Sequence, residues 1–153
     1  MVFAHLSADW APCGQLLLTE EGPSLMASSF AYGTNYVNRP NALEVDPVSL
    51  GLGDRAAVRG KRLLPAQGLV LFGGIRDAAP DSWGRRVIEA KLKVPANSLP
   101  ESQYLLHAGS DRVGALDVRL SLADGPTYGA YAPHTLEHLM DRMVRPPKAT
   151  LPR

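Results

Sequence analysis

Hydrophobic spacing divides the chain into an extended first half and a mainly helical second half. Val2–Leu6 is a short apolar run, Gly14–Thr19 (GQLLLT) a second and Ser24–Tyr32 (SLMASSFAY) a third. The turn signal Glu21-Gly22-Pro23 closes the second run, so the three predict a meander of antiparallel strands. Gly33, Pro40, Pro47, Gly51, Gly53 and Gly60 punctuate the next stretch, which reads as loops with brief extended pieces. Leu69–Phe72 (LVLF) fits either a buried strand or the start of a helix, because so short a run shows no periodicity.

From Asp81 the period changes. Trp83, Val87, Ala90 and Val94 fall within about 60° of one another on a helical wheel, which makes Trp83 the expected core anchor. Arg85, Arg86, Glu89 and Lys93 share the opposite arc, a solvated face with i,i+4 pairs Arg85–Glu89 and Glu89–Lys93. Pro95 ends this helix. A second follows, with a Ser98–Glu101 capping box, Pro100 in its first turn, Gly109 after its end and an apolar stripe of Tyr104, Leu105 and Ala108. In Ala115–Leu122 (ALDVRLSL), Leu116, Val118, Leu120 and Leu122 alternate with Asp117, Arg119 and Ser121, the pattern of a half-buried strand. After Asp124-Gly125-Pro126, the spacing of Leu136, Leu139, Met140, Met143 and Val144 predicts a last helix, Thr135–Val144, stopped by Arg145-Pro146-Pro147; the end of the chain should fray. Strands first and helices later make an α+β fold, with a small antiparallel sheet at the N-terminus followed by two or three helices and a further strand.

Composition narrows the picture without naming a function. A length of 153 residues suits one domain or slightly more, and 45% hydrophobic with 20% charged residues suits a packed globular core. The net charge of +1 gives no electrostatic reason to expect non-specific nucleic-acid binding across the whole surface. With Cys13 alone there is no internal disulfide, which fits a reducing compartment, and Cys13 itself reads as a small strand residue. No apolar run approaches the roughly 18 residues of a membrane span, and MVFAHLSADWAPC lacks the form of a signal peptide. A cytoplasmic protein without a membrane partner is expected.

Candidate chemistry is sparse. Gly73-Gly74 could open a phosphate-binding loop, yet it lies seven residues ahead of the expected helix start near Pro80-Asp81, with no G-K-[ST] and no G-x-G-x-x-G. The stretch reads better as a helix entry, with Asp81 at the positive end of the dipole. His134 and His138 stand at i,i+4 with Glu137 and Asp141 nearby, but no third zinc ligand has motif-like spacing, so a solvated face is expected. There is no G-x-S-x-G elbow, and Cys13 has no basic neighbour to make it a thiolate. Arg85-Arg86 could meet an anion or an acidic partner, or form a solvated face. No catalytic residue, cofactor or metal ligand is assigned.

The order of phrases goes further. GQLLL, FAYGTNYVNRPNALEVDPVSL, LFGGIRDAAPDSWGRRVIEAKL and ESQYLLHAGSDRVGALDVRL together resemble the N-terminal region of HipA-like serine/threonine kinases, the toxins of bacterial toxin–antitoxin modules. The resemblance runs over roughly residues 2–122, leaving 123–153 as a C-terminal helix and proline-containing tail. It rests on Gly14 and Leu16, on Phe30, Tyr32 and Tyr36, on Asp81–Arg86, and on Asp111–Leu116. Asp81, Arg85, Arg86, Asp111 and Arg112 are its signature or partner-facing residues, and Phe30, Tyr32, Phe72, Trp83 and Gly114 its anchors.

In that family the glycine loop, ATP-contacting lysine, and catalytic and metal-binding aspartates follow this region, and the chain ends at Arg153 before any of them. Phosphoryl transfer depends on such groups for positioning and electrostatics, so no kinase activity is expected. The resemblance implies a partner, a HipA-like kinase core in cis or in trans. A helix-turn-helix antitoxin is a further one, through which any DNA association would be indirect. Two readings stay open: an interaction or regulatory module for a kinase core, and a truncated kinase fragment that only supports the N-terminal lobe. For the module, a tendency to self-associate is expected.

Overall fold

The computed structural model of the protein describes residues 1–110 and 115–128. The expected meander is present: β1 (Val2–Leu6), β2 (Asp9–Glu21) and β3 (Ser24–Tyr32). A short strand, β4 (Leu116–Val118), adds to the free edge of β1, giving an antiparallel sheet in the order β3-β2-β1-β4. The fold is α+β, as the spacing indicated.

β2 starts at Asp9, well before the GQLLLT run. A two-residue turn, Ser7-Ala8, reverses the chain, and Ser7 takes a positive φ of 56° to make it. Pro12, which reads as a strand breaker, sits opposite Phe3 where the register shifts, the place where a sheet tolerates a missing N–H. The second reversal uses Gly22 at φ 57°, a conformation that costs glycine little. Cys13 is buried in β2 and its thiol donates to the Val2 carbonyl at 3.2 Å.

The stretch after β3 contributes much of the core despite its loop-like composition. It forms two single helical turns, α1 (Thr34–Val37) and α2 (Arg55–Val58), and buries Tyr36, Val37, Val45, Leu50, Leu52 and Val58. Tyr32 of β3 ties it to the sheet, and Tyr36 of α1 braces it internally. The Tyr32 hydroxyl donates to Leu50 O (2.7 Å) and accepts from Val45 N (3.0 Å), while Tyr36 donates to Leu43 O and accepts from Leu43 N, both at 2.9 Å. Such bonds satisfy backbone groups that a loop cannot pair with itself. Burial pushes the Tyr36 phenol up to about 12 and raises Tyr32 also.

Three helices follow: α3 (Gly73–Ala78), α4 (Ser82–Leu92) and α5 (Glu101–His107). Leu69–Phe72 is neither strand nor helix; Phe72 is the residue before α3 and is fully buried. The glycine pair therefore opens a helix of its own instead of standing seven residues ahead of one. Its second member is needed for close approach: a Cβ on Gly74 would lie 1.8 Å from the Val45 carbonyl oxygen. α4 ends in a left-handed Lys93 (φ 57°) two residues before Pro95, and Gly109 follows α5 at φ 77°.

Three local expectations are overturned. The Ser98–Glu101 capping box does not form: Ser98 donates to Pro95 O, and Glu101 is taken by Arg85. The strand expected over Ala115–Leu122 is confined to Leu116–Val118, and there Asp117 is as buried as its apolar neighbours while Leu120 and Leu122 are exposed. A fixed ion pair displaced the alternation, because Arg119 Nε bonds Asp117 Oδ2 at 2.7 Å and Ser110 donates to the same oxygen at 2.6 Å. Trp83, the expected core anchor, is 47% exposed, because α4 turns Gly84, Val87, Ile88 and Glu89 inward. The expected helix Thr135–Val144 lies outside the described residues. Among those described, no helix is long and apolar enough to cross a membrane.

Candidate partner-binding surface on helix α4

α4 carries the most specific part of the signature, Asp81–Arg86, and the structure sorts those residues into two sets. Asp81 is the N-cap, its carboxylate accepting from Gly84 N at 2.8 Å, which satisfies a helix-start donor and sets an anion against the dipole. Arg85 turns inward. Its guanidinium forms a two-pronged bond to Glu101 (2.9 and 2.7 Å), lies 4.4 Å over the Tyr104 ring, and donates from Nε to Pro80 O at 3.2 Å. A planar fork matches a carboxylate in this geometry better than an ammonium can.

Glu89, expected on the solvated arc, is only 4% exposed. It accepts from the Tyr104 hydroxyl and, at 2.6 Å, from Asn97 N, so its charge is spread over two donors rather than an i,i+4 cation. Burial, and then the bond to Glu89, raises the Tyr104 phenol above its ordinary range. Arg85 and Glu89 thus fasten α4 to α5 and to the loop between them.

The other signature residues face outward. Trp83 and Arg86, three residues apart on α4, are exposed, as is Lys93 at its C-cap, and Ala90 is half-buried. An aromatic and an arginine of this kind recur as the energetic centre of protein interfaces. Asp111, Arg112 and Gly114 lie outside the described residues, as do His134 and His138. Phe30, Tyr32 and Phe72 are buried together, with Phe30 edge-on to both rings at 4.9 and 6.2 Å.

No family model, curated protein or solved structure matches the chain.

A second polar cluster occupies positions that the alternation assigns to the polar side of a half-buried strand. Arg119 stacks 4.0 Å over the Phe3 ring, bonds Asp117, and donates to Asp124 O at 3.0 Å, while its Nη2 is buried without an acceptor among the described residues. The clue was the i,i+2 spacing of opposite charges, which puts both on one face of a strand. For Glu101 the clue was weaker: an acid in the first turn of a helix serves a remote arginine as well as a capping box. Among the described residues, no three of His, Cys, Asp and Glu gather as a metal site.

Proposed function

We propose that this chain is a non-catalytic interaction module, built like the N-terminal subdomain of a HipA-like kinase, that docks on a kinase core and modulates it. One observation supports this above others. Within Asp81–Arg86, Asp81 and Arg85 bond groups that hold α4, and Trp83 and Arg86 are exposed. A half-exposed indole and an exposed guanidinium on one helix suit a partner with an apolar notch and acidic rim. The fold is consistent with the reading: a small sheet, then a signature helix clamped to the leucine-containing helix that follows.

Co-purification from the native organism tests the proposal, the expected outcome being a HipA-like kinase core recovered in stoichiometric amount with the tagged chain. Saturable ATP binding by the isolated chain, or phosphoryl transfer by it, would refute the non-catalytic reading.

A further inference from the structure

β2 is longer than the strand beside it. β1 pairs with it only as far as Val2 opposite Gly14, whereas β3 pairs with β2 on its other side from Gly14 through to Glu21. Beyond Gly14, no described residue pairs with β2 on the β1 side. Alternate backbone groups of an antiparallel strand point to opposite neighbours, so half of those in Gln15–Thr19 face a lane that no described residue fills.

The lane has a floor. It forms a groove of about 420 Å3, bounded by Leu16 and Leu18 of β2, Val118 and Leu120 across from them, and Leu105 and Leu106 of α5 beneath. Leu16, Leu18 and Leu106 are half-buried against the core, and Leu120 is 79% exposed. Among the described residues, the core is left open along this side of β2.

We propose that this groove binds an extended apolar peptide, which adds as a fifth strand beside β2, antiparallel to it and in line with β1. Free main-chain groups would supply affinity, and the leucine floor would select alternate apolar side chains. The lane's length, Gln15–Glu21 at about 3.3 Å per residue, suits a segment of about seven residues. Charge sets the direction as well. Glu20 and Glu21 stand at the end where an antiparallel strand begins; Glu20 accepts from Ser102 N (2.8 Å) and Ser102 Oγ (2.7 Å) at the start of α5, and neither acid pairs with a cation among the described residues. A basic residue at the start of the peptide complements them. The proposal is independent of the kinase-core partner, since it concerns the sheet and not α4.

The test is amide hydrogen exchange, read by NMR on the full chain, with the peptide Lys-Val-Thr-Val-Thr-Val-Thr as probe. In the free protein, alternate amides of Gln15–Thr19 should exchange fast while their neighbours bonded to β3 stay slow. Millimolar peptide should slow the fast set by at least about tenfold. Leu120→Glu, at an exposed site, should weaken binding about tenfold with an unchanged Tm. Slow exchange of both sets before peptide is added, no protection at millimolar peptide, or equal binding by a peptide N-methylated at alternate residues would each overturn the proposal.

Discussion

The sheet half of the molecule and the α4–α5 pair are held by different physics. The first, β1–β3 with the loops to Ala78, buries one continuous apolar cluster in which Phe30, Tyr36, Leu50, Phe72 and Ile75 are almost wholly enclosed. α4 gives that cluster no residue, and α5 gives it Leu105 and, at its margin, Leu106. What fixes α4, beside the buried Val87 and Ile88, is a cap, a forked ion pair and a buried carboxylate. Apolar burial is non-directional and tolerates reading from a pattern of leucines and aromatics. A polar clamp is directional, and each bond depends on a partner that sequence spacing does not reveal.

The contrast can be broken first at the core. Phe30→Ala should cost about 3–5 kcal/mol and abolish the cooperative transition of the whole chain in a thermal melt. Gly74→Ala comes next: its Cβ meets the Val45 carbonyl, and overpacking of this kind costs about 1–3 kcal/mol in a urea titration. Helix propensity alone would favour alanine there, so a stabilised variant would show that the approach of α3 to Val45 is not as close as described.

Arg85→Ala should act on one side of the comparison. A half-buried fork of this kind is worth about 1–2 kcal/mol, and its loss should speed amide exchange in α4 and α5 while leaving β1–β3 protected. Arg85→Lys, keeping the charge without the fork, should restore little of it. Asp81→Ala removes one cap bond and should cost about 1 kcal/mol, confined to the first turn of α4.

The smallest effect near neutral pH is a titration. Cys13, Tyr32 and Tyr36 have folded-state values above their ordinary ones, chiefly through burial. The unfolded chain then holds fewer protons than the folded one at alkaline pH, so stability falls as pH rises. The loss should be absent below about pH 8, begin as pH passes the ordinary thiol value near 8.5, and steepen above about 10. Urea midpoints measured across that range check the sign.

Legibility followed the same division. The meander was readable because β1 to β3 bury alternate or continuous apolar runs between strong turn signals. The stretch after Tyr32 was readable only as loops, since the bonds that order it come from Tyr32 and Tyr36, two hydroxyls with no sequence mark of their role. In α4 the wheel placed Trp83 inward because it is large and apolar; the structure turns it out and takes Glu89 in, since Tyr104 and Asn97 supply donors for the carboxylate. Gly73-Gly74 carried a real signal, but of backbone contact and not of phosphate.

The proposal that α4 presents a docking face has one direct measurement. Surface-immobilised chain should bind a HipA-like kinase core that lacks its own N-terminal subdomain, and the double variant Trp83→Ala/Arg86→Ala should weaken that binding by at least about tenfold while its Tm stays that of the native chain. Equal affinity of the native and variant chains for the core, or no binding by the native chain, would contradict it.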